Sequence, residues 1–216
     1  MPLSGRYRAV VFDMDGLLLD TETLWHETEI ELFRRHGDEF TWDDKLAVIG
    51  TSYAETSRYF AERLGRPPAD GAALVDEMVD LMHERLQGEV QARPGALELL
   101  RRLRALPSRV GLGLASNSSR RLVEAAIATT GLGDMFDAVV SSDDVAHPKP
   151  APDIYLEACR LMGVAPGDTL ALEDSSTGIA AAKAAGLTCI AVPQYAETNV
   201  SAADDVIDSL EALLET

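Results

Sequence analysis

A doubly wound α/β core with a small helical domain inserted after its first strand is the fold class this sequence predicts, on three observations. Ala9, Val10, Val11 and Phe12 form a short unbroken apolar run that ends in two carboxylates, Asp13 and Asp15, and a glycine, Gly16. Such a run is expected of a strand buried on both faces, and parallel strands end where ligands bind. Between Thr21 and Gln91 every apolar pattern is helical, and from Arg93 onward helix and strand patterns alternate, the rhythm of a parallel sheet.

The chain has 216 residues, 46% hydrophobic and 25% charged, which is ample for a sizeable core. Its formal net charge is -17, with a pI near 4.5. That surface repels nucleic-acid backbones and anionic lipids, so neither is an expected partner. A phosphate site would need local cations to invert the field. No apolar run reaches membrane-spanning length, and the N-terminus lacks a charged-then-apolar signal pattern. Cys159 and Cys189 read as free, buried thiols of a reducing compartment, so the cytoplasm is the expected location. A monomer is the default expectation, on which no residue pattern bears.

Taken in order, residues 1–7 lead into the first strand. The insert reads as four helices, and Thr21 and Thr23 are both N-cap candidates for the first, which carries Trp25, Ile30, Leu32 and Phe33. The others run over Thr41–Ile49, closed by Gly50, then Tyr53–Leu64, then Ala72–Leu86. Core elements follow: a helix with Pro94 in its first turn, a strand over Val110–Ala115, and a helix entered through Ser116–Ser119. A strand over Ala138–Val140, a helix over Asp153–Met162 and a strand over Thr169–Leu172 come next. An alanine-rich helix over 179–185, a strand over Leu187–Val192 and a last helix over Ala203–Leu214 complete the chain. The expected division is a core of residues 1–18 and 90–216, and a cap of residues 19–89.

Polar clusters fall where strands end: Asp13-Met14-Asp15, Ser116-Asn117, the loop carrying Lys149, and Glu173-Asp174. Alternation turns Asp13 and Asp15 to one side and Met14 to the other. Two such acids repel unless a cation or a shared proton lies between them. Oxygen-only ligands with open positions suit Mg²⁺ rather than Zn²⁺. Ser116 and Asn117, read at a helix start, would favour phosphate, with Lys149 balancing the acids. Ser118 and Ser119 read as N-caps, Trp25 as a packing residue, and His26, His36, His83 and His147, which lack ligand spacing, as surface residues.

Phe12-Asp13-Met14-Asp15-Gly16 with Asp20-Thr21-Glu22, Ser116-Asn117, Lys149-Pro150 with Pro152-Asp153, and Glu173-Asp174-Ser175 with Gly178 together resemble the haloacid dehalogenase superfamily. The similarity is to its β-phosphoglucomutase-like enzymes with a helical cap. All four motifs are present in order across the chain, with Pro148 standing where a glycine commonly precedes the lysine. The resemblance implies a HAD-like Rossmannoid core in which Asp13 is the nucleophile and Asp15 the general acid and base. It also implies Mg²⁺ held by Asp13, the Asp15 carbonyl and Asp174, with Glu173 direct or through water. Ser116, Asn117 and Lys149 would hold phosphate, Lys149 also binding Asp13.

The cap is expected to rock over the crevice, bringing Thr21, Trp25 and the Gly50-Thr51-Ser52-Tyr53 turn towards substrate. A mutase would need cap cations for a distal phosphate. The family's basic positions there match Trp25, Ile49 and Tyr53, leaving Lys45, Arg58 and Arg63 as substitutes. The expectation is therefore a Mg²⁺-dependent phosphatase of small phosphomonoesters, sugar phosphates foremost, with a phosphomutase as the alternative. A non-catalytic binding module would have lost one of the motif residues, and dehalogenases of this superfamily generally lack the second aspartate.

Overall fold

The computed structural model describes residues 5–49, 51, 53–88 and 90–214. The chain divides into two compact units, Met1–Asp20 with Val90–Thr216, and Thr21–Glu89. Leu19 and Asp20, which sequence placed in the cap, lie in the larger unit. Leu19 bridges to Asp15 and to Ala92, and the Asp20 N–H donates to the Gln91 carbonyl.

The larger unit is built on a parallel sheet ordered β3-β2-β1-β4-β5-β6. Its strands are β1 (Ala9–Phe12), β2 (Gly111–Ala115), β3 (Ala138–Val140), β4 (Thr169–Glu173), β5 (Thr188–Ala191) and β6 (Asp205–Val206). The chain winds outward from β1 in one direction and then in the other, so the order reverses beside β1, where such sheets bind ligands. Phe12 is in register with Leu114 on one side and Leu172 on the other. The motif residues that follow each strand therefore emerge at one edge.

β1 is buried throughout because both faces are covered. On one face Val11, Ala115, Ala171 and Cys189 pack against Ile154, Tyr155, Ala158 and Ala181. Small residues predominate there, which lets α7 (Asp153–Met162) and α8 (Ser176–Ala184) approach closely. On α5 (Ala96–Arg104) and α6 (Arg120–Thr130), leucines at helical spacing, with Val123 on α6, form the buried stripe.

Several boundaries differ from the sequence reading. Pro94 is outside its helix: Gly95, in left-handed backbone with φ +79, caps α5, which begins at Ala96. α6 begins at Arg120, so Ser116 and Asn117 sit in a turn rather than at a helix start, and Asp143 accepts the first helical N–H. The expected last helix is absent. Asp204 and Ile207 hydrogen-bond to β5, Asp205–Val206 adds the edge strand, and only Leu210–Leu213 coils, as a 3₁₀ turn. Pairing with an open sheet edge outweighed local helical pattern. Among the described residues no helix is long and apolar enough to cross a membrane.

The smaller unit holds α1 (Glu22–Arg35), α2 (Trp42–Val48), α3 (Tyr53–Arg63) and α4 (Gly71–Leu86). Thr21, not Thr23, precedes α1. The core is a triangle of edge-to-face rings, Phe33 with Phe40 at 5.0 Å and with Phe60 at 5.3 Å, closed by Leu74, Val75 and Met78. Asp44 ties α2 to α3. It completes a capping box with Thr41 and accepts from Tyr59 Oη at 2.6 Å and Arg63 Nε at 2.8 Å. Burial would raise its carboxyl, but the donors of Tyr59, Thr41 and Arg63 outweigh that and hold it down to about 2. A depressed carboxyl stabilises the fold above its unfolded pKa of about 4, and the contribution fades as pH falls towards the folded value. Asp44→Asn is therefore expected to cost about 1–3 kcal/mol at pH 7. Urea unfolding of both proteins should show that difference narrowing between pH 4 and the acid limit.

Candidate active site

Lysine and acids from distant parts of the chain meet at the C-terminal edge of the sheet. Lys149, 3% exposed, sends Nζ to Asp13 Oδ1 at 2.5 Å, Glu173 Oε1 at 2.6 Å and the Ala115 carbonyl at 2.9 Å. These three acceptors saturate the three donors of an ammonium. Burial alone would lower the lysine's pKa, but the Asp13 and Glu173 charges outweigh it and raise it, so the cation persists. Burial pushes the Asp13 carboxyl well up, with Lys149 opposing and Glu173 and Asp15 adding to the rise. Acidic charge exceeds basic charge here.

Asp15 is oriented by two hydroxyls: Ser116 Oγ and Ser118 Oγ each donate to its Oδ2 at 2.9 Å. Ser116 Oγ in turn accepts from the Ser118 N–H. Ser118 thus faces the site rather than capping a helix. Ser119 holds the N-cap position with no side-chain cap bond. Asn117 is tied to the lysine loop in both directions, Nδ2 donating to the Lys149 carbonyl and Oδ1 accepting from the Lys149 N–H. The side chains of Ser116 and Asn117, expected on phosphate, are therefore occupied within the protein.

Glu173 was expected at a metal, and its bonds point elsewhere. Oε1 accepts from Lys149 and from Tyr155 Oη at 2.5 Å, while Oε2 accepts from Ser175 Oγ at 3.1 Å. The fully buried carboxylate lies against Gly178, where a Cβ would overlap it. Gly16 is needed for two reasons: its φ is +82, and a Cβ would collide with Asp174 Oδ2 and lie 2.9 Å from Gln194 Oε1. Gln194 Oε1 is buried with no partner among the described residues.

No three His, Cys, Asp or Glu side chains gather as a metal-holding group among the described residues. The residues present still fit Mg²⁺, which keeps several waters and asks for one or two carboxylates. Asp13, Asp174 and the Asp15 carbonyl could hold it, and the orphaned Gln194 oxygen beside Asp174 is an acceptor for a bound water. A separate cavity of about 580 Å³ lies among Tyr7, Arg8, Arg109, Asp137 and Met162, at the opposite strand ends, and contains none of these groups.

Residues 7–186 match the family of haloacid dehalogenase-like hydrolases. The chain belongs to that family. It is 35% identical to protein CbbY of Rhodobacter capsulatus, over 95% of this chain and 94% of that one. It is 32% identical to the fructose-1-phosphate phosphatase YqaB of Escherichia coli, over 87% and 97%. A crystal structure of CbbY from Rhodobacter sphaeroides, in complex with xylulose-(1,5)bisphosphate, superposes with a TM-score of 0.82 at 29% identity, covering 94% of this chain and 95% of that one. The chain is a phosphatase of the haloacid dehalogenase-like family.

The residues expected from the motif resemblance, Asp13, Asp15, Ser116, Asn117, Lys149 and Glu173, come together at this edge, with Asp174 alongside Gly16. The expected cap residues are placed within the smaller unit. Thr21 is buried, Trp25 half-buried, and Thr51 Oγ1 bonds to the Val48 carbonyl and Thr56. Gly50 and Ser52 lie outside the described residues. Of the histidines only His147 is exposed; His26, His36 and His83 are half-buried. Tyr155 and Gln194 had no sequence signal, whereas Ser118 could have been found from its two-residue offset from Ser116 in an extended turn. Because a methyl at Gly178 would displace Glu173, Gly178→Ala is expected to destabilise the protein by about 1–3 kcal/mol. Phosphatase turnover, assayed on the fraction that remains folded, should fall with it.

Proposed function

We propose that the chain is a Mg²⁺-dependent phosphatase of small phosphomonoesters, with sugar phosphates as its substrate class. The observation that carries this reading is the Lys149–Asp13 pair at 2.5 Å. It presents Asp13 for attack with one oxygen held and the other accepting no hydrogen bond among the described residues. Asp13 attacks phosphorus and forms an aspartyl-phosphate as the ester oxygen departs with the proton of Asp15. Asp15, aligned by Ser116 and Ser118, then takes a proton from water, whose oxygen attacks phosphorus and frees Asp13 and inorganic phosphate. Asp13, Asp174 and the Asp15 carbonyl would hold Mg²⁺, which when bound would supply the positive charge that admits a phosphate to an acidic site. With the Asn117 side chain occupied, its main-chain N–H is the group we assign to a phosphate oxygen. The Lys149 ammonium acts as a fixed neighbouring charge.

Hydrolysis is favoured over phosphate transfer within a sugar by the cap's own ion pairs. Lys45 is buried against Glu29 at 2.9 Å and Glu22 at 3.5 Å. Arg63 is bound to Asp38 and Asp44. Two of the three cations that could take a distal phosphate are thus already neutralised, leaving exposed Arg58. The relatives that act on or bind sugar phosphates support the substrate class, and two buried free thiols suit a cytoplasmic setting.

Screening the purified protein against a panel of phosphomonoesters tests the substrate class; turnover confined to esters without a sugar moiety would overturn it. Lys149→Ala is expected to lower kcat by about 10²–10³. Turnover should cease on chelation and return with Mg²⁺, and full activity in metal-free protein would refute the cofactor. Incubation with β-glucose 1-phosphate and a trace of the bisphosphate should release phosphate faster than it forms glucose 6-phosphate.

A further inference from the structure

Tyr155 lies on the buried face of α7, and its ring packs in the core beneath the active-site edge. Two contacts of its own, and one made by its partner Glu173, distinguish it from a packing residue. Its Oη donates to Glu173 Oε1 at 2.5 Å. The same oxygen receives Lys149 Nζ at 2.6 Å. Lys149 Nζ also stands 5.2 Å from the centre of the Tyr155 ring, within the range of a cation–π contact. Burial, with the Glu173 and Asp13 charges, keeps this phenol protonated and therefore a donor.

Glu173 closes β4 and is fully buried, with both carboxylate oxygens bonded within the protein. Ser175 secures Oε2 from the chain just ahead, and the missing Cβ of Gly178 gives the carboxylate room. Oε1 is secured from the covering helix α7 by Tyr155. A carboxylate so held presents a fixed charge to Lys149, and Lys149 in turn fixes Asp13 Oδ1.

We propose that Tyr155 is a positioning residue of the phosphatase site, acting through Glu173 to hold Lys149 against the nucleophile Asp13. It touches neither substrate nor the reacting atoms. The proposal rests on the reading of Asp13 and Lys149 given above, and it gives the helix after the lysine loop a function beyond packing.

The test is a double-mutant cycle of Tyr155→Phe and Glu173→Gln, with 4-nitrophenyl phosphate as substrate and thermal melting as the structural control. Tyr155→Phe keeps the ring and removes only the hydroxyl. It should lower kcat on the order of tenfold, as expected for a hydrogen bond to a charged group, with KM changed less than twofold. In the Glu173→Gln background the same substitution should change kcat less than twofold, because its route of action is gone. A Tyr155→Phe protein with wild-type kcat, or one whose kcat falls equally in both backgrounds, overturns the proposal. Should Glu173→Gln fail to fold, the ¹⁵N resonance of the Lys149 ammonium decides. It should be visible in the wild type and broadened or shifted in Tyr155→Phe, and an unchanged resonance overturns the proposal. Lys149→Ala serves as the separate control. If that protein turns over at the wild-type rate, the reading of the site itself fails, whatever Tyr155 does.

Discussion

A single ammonium, buried among three acceptors, is the interaction on which the rest of the larger unit depends. Removing a charge from water costs several kcal/mol, and breaking such a pair costs about 3–5 kcal/mol because an uncompensated charge is left behind. Lys149 is tolerated only because Asp13, Glu173 and the Ala115 carbonyl reach it together. Each partner ends or directly follows a different strand, β1, β4 and β2. Those three strands are neighbours in the sheet, so the ion cluster and the strand register specify one another. A slip in either pairing would separate the lysine from an acceptor.

The same constraint explains the chemistry of the surroundings. Negative charge is concentrated at one edge of an already acidic protein, and the single fixed cation does not balance it. An anionic phosphate ester meets net negative charge there, the setting in which the proposed divalent cation would matter. Asp15 bonds to Ser116 and Ser118 rather than to the lysine cluster, so neighbouring carboxylates acquire different environments.

Close approach is the second condition. Gly16 and Gly178 stand where a single methyl would overlap a carboxylate of the site. The alanines of α7 and α8 bring those helices near enough for a side chain inside the core, Tyr155, to reach Glu173. In the smaller unit a comparable economy of charge holds: Asp44 and Glu29 gather the local cations, and the apolar triangle of Phe33, Phe40 and Phe60 supplies the packing.

Sequence by itself determined the doubly wound class, the insertion of a helical unit after β1 and the clustering of Asp13, Asp15, Lys149 and Glu173 at strand ends. Each of these rests on local pattern: an apolar run, helical spacing, or an acid placed directly after a strand. Only the tertiary structure decided what local pattern cannot encode. Glu173 and Asp174 are adjacent acids of one strand end, yet one is bound to a lysine 24 residues away and the other lies over Gly16. Ser118 resembles any N-cap serine until Asp15, 103 residues earlier, accepts its hydroxyl. Residues 203–207 carry a helical pattern, but the free edge of β5 offers backbone partners that a solvated helix end lacks. In each case the deciding partner is remote in sequence, and its distance is set by how the strands pair rather than by any spacing along the chain.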